Sequence, residues 1–342
     1  MGGLLAMSVS WPTRLWGALV LLALLGPWGA AQPVEEAGPL WLSDAPPNEA
    51  YAQRLRRSHG GAVEMGRGGS TAKRLWLRHG AVPETAGYTD EAAAEGFDFR
   101  VTTPAGEAER LRPFVDEAGV GLHFPIPEEG FYNVYATRRQ VRDGVLAVEV
   151  VKHELLRHLC SEGHDYPMTL VAPRHLPELP LEIIRLRQPD EDFHTRLHSG
   201  DTLRFRVLRH GQPLAGATVR LVSQRGWRNR AVTDADGEVA FELIRDYYPD
   251  WPEFRRRHRD RFLVIAEHQE AREGSHAGDA YQAARYTVTQ PGFYTPPSRE
   301  YRSYAYGLSV AGTAALVVAV FTYGYRRRRW NPPREEAFDE RD

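Results

Sequence analysis

Residues 97–102 read FDFRVT, and Phe97, Phe99 and Val101 alternate there with polar side chains. The same period of two continues through residues 119–124, and further apolar runs follow at 132–137 and 145–151. Segments rich in glycine, proline or acidic residues separate these runs. Short alternating strands broken by such turns are typical of an antiparallel β-sandwich. The pattern therefore predicts a first sandwich domain over residues 97–155.

A second set of strand-like runs predicts another antiparallel sandwich over residues 181–290. Its predicted strands are residues 181–186, 202–208, 217–222, 239–244, 262–267 and 285–289. The TDADG sequence at residues 233–237 predicts a tight turn, in which aspartate bonds its own backbone and glycine adopts a positive φ. The predicted fold class is mainly β: two antiparallel Ig-like β-sandwich domains plus one C-terminal transmembrane helix.

Residues 304–325 read YAYGLSVAGTAALVVAVFTYGY and contain no charge. As a helix they extend over roughly 33 Å, about the thickness of a bilayer core. Four arginines follow at 326–329 and oppose translocation, which predicts a cytoplasmic tail at 326–342. The alternative is a buried core helix, but such a helix rarely lacks charge over this length.

The N-terminal residues also indicate export. Arg14, the apolar run 15–25 and the small residues 29–31 predict a signal peptide over 1–31, with an uncleaved anchor as the alternative. The predicted location is the bacterial inner membrane, with a single span and the N-terminal domains in the periplasm. Three connecting segments complete the organisation: an irregular N-terminal segment (32–96), a linker rich in histidine and proline (156–180) and a stalk (291–303).

Composition limits the function further. Cys160 is the only cysteine, so no internal disulfide stabilises the cores. The net charge of −2 gives no reason to expect a nucleic-acid partner. No serine-nucleophile motif and no paired acid–base signature stands out, and we therefore predict that the chain is not an enzyme.

The sequence HELLRHLCSEGHD at residues 153–165 predicts a transition-metal site. Imidazole and thiolate are ligands for nickel, cobalt, copper or zinc. The spacing of the first two histidines is five, not the four of a zinc-protease helix. The alternative is a set of exposed linker histidines with a buried cysteine. The predicted ligands are His153, His158, Cys160, His164 and Asp165.

Two weaker candidates lie in the second predicted domain. His194 and His198 have helical i,i+4 spacing, with a solvated turn as the alternative. Residues 246–261 form an insertion rich in aromatic residues and arginine, the types that dominate binding hot spots. The alternative is an insertion packed on its own sandwich. The predicted partner-binding residues are Tyr247, Tyr248, Trp251, Arg255 and Arg256.

The second domain also resembles a known family. GDTLRF at 200–205, GQPLAGATV at 211–219, TDADG at 233–237 and Phe241 together resemble the periplasmic accessory components of nickel/cobalt energy-coupling-factor transporters. The resemblance implies an accessory subunit that captures or presents a nickel or cobalt ion and contacts integral-membrane transporter subunits. Members often place a histidine directly after the signal peptide, whereas residues 32–34 here read QPV. The alternative function is a structural Ig-like adaptor that scaffolds a membrane complex without binding metal.

Overall fold

The computed structural model describes residues 38–48, 50–53, 72–158, 166–246 and 259–330. The predicted signal peptide lies outside these residues, as does most of the predicted cytoplasmic tail. Seventeen strands and one long helix are named in the described residues.

In chain order the elements are β1 (Leu40–Ser43), β2 (Ala72–His79), β3 (Gly87–Tyr88), β4 (Asp98–Thr102), β5 (Ala108–Leu111), β6 (Pro113–Asp116), β7 (Gly119–Pro125), β8 (Gly130–Arg142), β9 (Val145–Arg157), β10 (Glu182–Leu186), β11 (Thr202–Arg209), β12 (Gln212–Pro213), β13 (Thr218–Ser223), β14 (Arg228–Val232), β15 (Glu238–Glu242), β16 (Asp260–His276), β17 (Asp279–Tyr294) and α1 (Ser298–Trp330). Short 3₁₀ turns lie at Ala92–Ala94 and Met168–Leu170. The predicted mainly β, antiparallel class is confirmed.

A central sheet of eight strands runs through the molecule in the order β14-β13-β16-β17-β9-β8-β4-β5. Its neighbours are antiparallel except at β17 and β9, which pair in parallel from Ala283 opposite Val145 to Thr289 opposite Val151. Strands of the two predicted domains therefore belong to one continuous sheet. The structure differs here from two sandwiches joined only by a linker, because β17 returns to lie beside β9.

Two smaller sheets cover opposite faces of this central sheet. Along β9, Val148 and Val150 pack in one core with β10, β11 and β15, whereas Val151 and Leu155 pack in another with β1, β2 and β7. The alternation follows from the period of two in a strand, which sends successive side chains to opposite faces. Strand β9 is therefore buried on both faces, and its sequence VLAVEVVKHELL places apolar residues on each face.

The predicted irregular segment 32–96 contributes three strands to the smaller sheet on the β1 side. Trp41 and Leu42 of β1 are fully buried, and Trp41 donates its indole N–H to the carbonyl of Gly80 at 2.9 Å. The hydroxyl of Thr289 in β17 donates to the carbonyl of Leu40 at 2.6 Å. These contacts pack β1 against the central sheet. The segment that was predicted to be irregular therefore contains ordered strands.

The predicted turn at residues 233–237 is confirmed. One carboxylate oxygen of Asp234 accepts hydrogen bonds from the backbone N–H of Asp236 at 3.0 Å and of Glu238 at 2.8 Å. Gly237 has a φ of 72°, which a side chain would strain. The turn connects β14, at the edge of the central sheet, to β15, which pairs with β11 in a smaller sheet.

Helix α1 follows β17 after three residues and carries the apolar stretch. Its segment Ala305–Trp330 contains an 18-residue window with a mean hydropathy of 1.8, and none of that window is buried against the rest of the chain. In the part of the chain that is described, it is the one helix long and apolar enough to cross a membrane. An exposed apolar helix of this length fits a membrane anchor, and a buried core helix is excluded.

Candidate metal centre

His153 lies in the interior of β9 and is 2% exposed. Its Nδ1–H donates to the carbonyl of Leu42 at 2.9 Å, and its Nε2 has no hydrogen-bond partner among the described residues. Burial lowers the pKa of this imidazole from 6.5 to about 4, so the ring is neutral at neutral pH. His153 is a core side chain of the strand.

His158 follows the last residue of β9 and lies apart from His153. Five residues of extended chain span about 16 Å and reverse the face on which a side chain lies. His153 and His158 therefore do not meet at one ion. The ring of His158 is 6% exposed, and its Nδ1 lies 3.2 Å from a carboxylate oxygen of Glu129.

The partner of His158 is His194, in the loop between β10 and β11. The two Nε2 atoms are 3.2 Å apart, and the rings meet nearly edge to face at 81°. The carboxylate of Glu129 approaches Nδ1 of His158 without the alignment of a hydrogen bond, and the distance between the two Nε2 atoms is that of an N–H···N hydrogen bond. We call His158, His194 and Glu129 the histidine pair site.

A short turn presents His194. The carboxylate of Asp192 accepts the backbone N–H of His194 at 2.8 Å and the hydroxyl of Thr195 at 2.9 Å. The backbone N–H of Asp192 in turn donates to the Thr195 hydroxyl at 2.9 Å. The hydrogen bond from Thr195 is the largest cause that lowers the pKa of Asp192. The DFHT sequence thus builds a local turn from its own side chains.

His198 does not join this pair. Residues 192–200 form turns and irregular backbone rather than a helix, so His194 and His198 do not share the predicted helical face. The backbone of His198 bridges that of Thr295, and its ring lies 3.8 Å from Asp201.

Aromatic rings hold His158 from the side. Tyr166 and Phe193 stack at 4.0 Å, and the Phe193 ring lies 5.2 Å from that of His158. Phe131, the second residue of β8, meets Phe193 at 6.0 Å. The Tyr166 hydroxyl accepts the backbone N–H of Phe193 at 3.2 Å, which ties the rings to the loop. The imidazole is therefore held in one orientation before any ligand arrives.

This geometry suits two ligands of a tetrahedral transition-metal ion. Two nitrogens bound at about 2.0–2.1 Å to one such ion lie about 3.3 Å apart. A carboxylate on the far ring nitrogen is the usual partner of a metal-bound histidine, and Glu129 occupies that place. Within the described ranges, no group of three or more histidine, cysteine, aspartate or glutamate side chains is arranged to hold a metal. The pair by itself supplies two ligands.

The other predicted site residues lie outside the described residues. They are the metal candidates Cys160, His164 and Asp165 and the partner-binding candidates Tyr247, Tyr248, Trp251, Arg255 and Arg256. Sequence reasoning found His158 by residue type but missed Glu129. The only signal for the pairing was the density of histidine and aromatic residues in two separate loops.

No family model and no curated protein matches the chain. The BSP domain of a biofilm-associated protein is similar at 13% identity, over 64% of this chain and 27% of that chain, with a TM-score of 0.15. A tetra-tandem repeat from the extending region of a large adhesion protein is 12% identical, over 77% and 50%, with a TM-score of 0.18. A two-domain fibronectin type III segment from chicken tenascin is 10% identical, over 66% and 93%, with a TM-score of 0.17. Such TM-scores carry no argument about function.

Proposed function

We propose that this chain is a membrane-anchored accessory protein that binds a transition-metal ion outside the cytoplasm, as part of a nickel or cobalt uptake system. The observation that carries the proposal is the approach of the His158 and His194 Nε2 atoms to 3.2 Å, with Glu129 on Nδ1 of His158. Imidazole nitrogen is a ligand type that nickel, cobalt and zinc accept. The choice of nickel or cobalt follows from the family resemblance of residues 200–241.

The membrane helix supports the location. Arg327, Arg328 and Arg329 lie in the last turn of α1, where they favour a cytoplasmic C-terminal side. The β-built body would then lie in the periplasm of a bacterium, close to the bilayer, because only three residues separate β17 from α1. A body held there could pass an ion to integral-membrane transporter subunits through contacts of α1 and the adjoining stalk.

Binding of Co²⁺ tests the proposal directly. The full chain, reduced and in detergent micelles, is titrated with Co²⁺ and Ni²⁺ while the visible cobalt bands are recorded. We expect stoichiometric binding that His158→Gln and His194→Gln each abolish or weaken severely. Glu129→Gln should weaken it about 10–100-fold, since it orients a ligand without touching the ion. His198→Gln is the matched control, because it lies in the same loop but outside the pair.

The spectrum also tests the remaining predicted ligands. A thiolate-to-cobalt band lost in Cys160→Ser would place that cysteine on the ion, and the same titration can be repeated for His164→Gln and Asp165→Asn. Binding no tighter than roughly 10 µM, or equal binding by wild type and both pair variants, would remove the metal function. The structural adaptor would then be the remaining function.

A further inference from the structure

A cavity of about 490 Å³ opens beside the histidine pair site. It lies between the end of β9, the loop after β10 and the last residues of β17. Its walls are largely aromatic and aliphatic, and four arginines contribute to its lining. The two metal-facing histidines are not among the residues that line it. A concave apolar site with a few polar groups is the usual form of a small-molecule site.

The floor of the cavity contains an acceptor without a donor. Gln290 lines the cavity and is only 3% exposed. Its side-chain carbonyl oxygen is buried and accepts no hydrogen bond from the described part of the chain. Buried amide oxygens are almost always paired, so an unpaired one on a residue that lines a cavity points to a ligand that brings the donor.

The four arginines fall into two classes. Arg185 and Arg187 are neutralised inside the protein: Arg185 lies 3.0 Å from Glu191, and Arg187 lies 3.1 Å from Glu191 and 2.6 Å from Glu154. Buried arginines paired in this way form part of the wall.

The other two arginines remain available. Arg196 and Arg259 are exposed, and neither lies within salt-bridge distance of a carboxylate in the described ranges. Asp44 attracts Arg259 from farther away, but Asp44 already pairs with Lys73 and Arg261. The guanidinium of Arg259 lies 3.6 Å from the centre of the Phe293 ring, which fixes its plane at the cavity wall. Two guanidinium groups without a carboxylate in contact favour an anion, and a carboxylate matches their planar donors.

We propose that this cavity binds a small aromatic carboxylic acid that also carries a hydroxyl donor. The carboxylate would pair with Arg196 and Arg259, and the ring would lie among the cavity walls that Phe131, Phe293 and Tyr294 provide. The hydroxyl would donate to the side-chain oxygen of Gln290 once a rotation of the amide brings that buried oxygen to the cavity surface. This function is separate from metal binding, because it uses none of the three residues of the histidine pair site.

Three related probes separate these contributions by calorimetric titration of the full chain in detergent. 4-Hydroxyphenylacetate carries all the features, phenylacetate lacks the hydroxyl, and 4-hydroxyphenylacetamide lacks the charge. We expect 4-hydroxyphenylacetate to bind with one-to-one stoichiometry and each of the other two about tenfold more weakly, as a lost charged or buried hydrogen bond implies.

Variants assign each difference to a residue. Arg196→Gln and Arg259→Gln should weaken the acid about tenfold and leave the amide unchanged. Gln290→Leu should remove the advantage of 4-hydroxyphenylacetate over phenylacetate. Arg228→Gln, on the exposed edge strand β14, is the matched control and should change nothing. His158→Gln should leave acid binding intact, which separates this site from the metal site.

Equal binding of the acid and the amide would overturn the proposal, as would absence of acid binding at millimolar concentration. The proposal would also be overturned if Arg228→Gln weakened binding of the acid as much as Arg196→Gln and Arg259→Gln do. The mouth arginines are exposed, so their substitution tests the site without disturbing the core.

Discussion

Two neighbouring residues of β9, Lys152 and His153, are both basic and both buried, but only Lys152 has a buried carboxylate as its partner. They lie on opposite faces of the central sheet, Lys152 towards β10 and His153 towards β1. Lys152 is fully buried beside a carboxylate, 2.7 Å from Glu182. Among the described residues no carboxylate contacts His153, and burial lowers its pKa so that it remains neutral. The difference between the two residues is the buried carboxylate, which lies beside Lys152 and is absent beside His153 in the described structure.

The face towards β10 holds a complete polar network. The Lys152 ammonium also donates to the carbonyls of Ile183 at 2.9 Å and Arg174 at 3.2 Å, so all three of its hydrogens are used. Glu182 in turn accepts the Tyr135 hydroxyl at 2.8 Å. Burial and Glu182 raise the pKa of Tyr135 well above its usual value, so it stays a donor. The network joins β8, β9 and β10 through satisfied groups.

The largest effect is expected for Lys152→Met. This change leaves the Glu182 carboxylate buried without its counter-charge, and breaking such a pair costs about 3–5 kcal/mol of unfolding free energy. Urea denaturation of the full chain in detergent measures it. The double variant Lys152→Met/Glu182→Leu should recover a large part of the loss, since no buried charge then remains. A loss below about 1 kcal/mol for the single variant would show that Lys152 and Glu182 do not behave as a buried ion pair, because an exposed pair contributes about that much.

On the other face, the expected effect is acid sensitivity. The pKa of His153 is about 4 in the folded protein and 6.5 in the unfolded chain, so the unfolded chain binds more protons between these values. The stability that neutral His153 contributes is therefore fully present above pH 6.5 and is lost as the pH falls towards 4. The difference amounts to about 3 kcal/mol. Urea midpoints measured at intervals from pH 7 to pH 4 test this decline.

His153→Asn supplies the control for that decline. Asparagine can still donate to the carbonyl of Leu42 but does not titrate. Its stability at pH 7 should be lower because the side chain is smaller, but the slope between pH 6.5 and 4 should become shallower. An unchanged slope would show that other groups cause the acid sensitivity.

Some strands could be predicted from the sequence, and others could not. Strands β4, β7, β11, β13 and β15 are half buried, so their alternating side chains revealed them. Pairing of β17 with β9 was not predictable, because it joins residues about 140 positions apart and local periodicity carries no sign of a long-range partner. Strand β1 has only four residues, too few for a period to appear.

The candidate site was predictable only in part, for a related reason. Residue type indicated His158, but all of its predicted fellow ligands lie within the same thirteen-residue segment. The sheet instead brings it to His194, in the loop after β10, and to Glu129, just before β8. His153 carries the same side chain as His158, but it lies inside β9 and donates to the carbonyl of Leu42 instead of facing His194.

A smaller effect is expected for Asp44→Asn, next to β1. Asp44 lies 3.1 Å from Arg261 of β16 and 3.4 Å from Lys73 of β2, and its side chain is 12% exposed. Burial raises the pKa of Asp44, but the two cations lower it further, to well below its usual range. Loss of these charged hydrogen bonds should cost about 2 kcal/mol.

Asp98→Asn is the matched control for Asp44→Asn. Asp98 of β4 also has two arginine partners, but Arg100 and Arg110 are 41% and 74% exposed. Solvent screens such pairs, so the expected cost is below about 1 kcal/mol. The stability contributed by Asp44 is lost only as the pH falls below 3.8, outside the range in which His153 titrates. Equal costs for the two variants would show that β1 is not fixed by these ion pairs.

The smallest effect, about 1 kcal/mol, is expected for Thr289→Val in β17. Thr289 is 2% exposed, and its hydroxyl donates to the Leu40 carbonyl at 2.6 Å, so the swap removes one hydrogen bond between β17 and β1 and changes the packing little. Thr289→Ser retains the hydroxyl and isolates the effect of that bond. Amide exchange at Leu42 should quicken about fivefold in the valine variant only, which follows if β1 opens as a local unit. Equal exchange in both variants would mean that the hydrophobic burial of Trp41 and Leu42, rather than this bond, holds β1 on the central sheet.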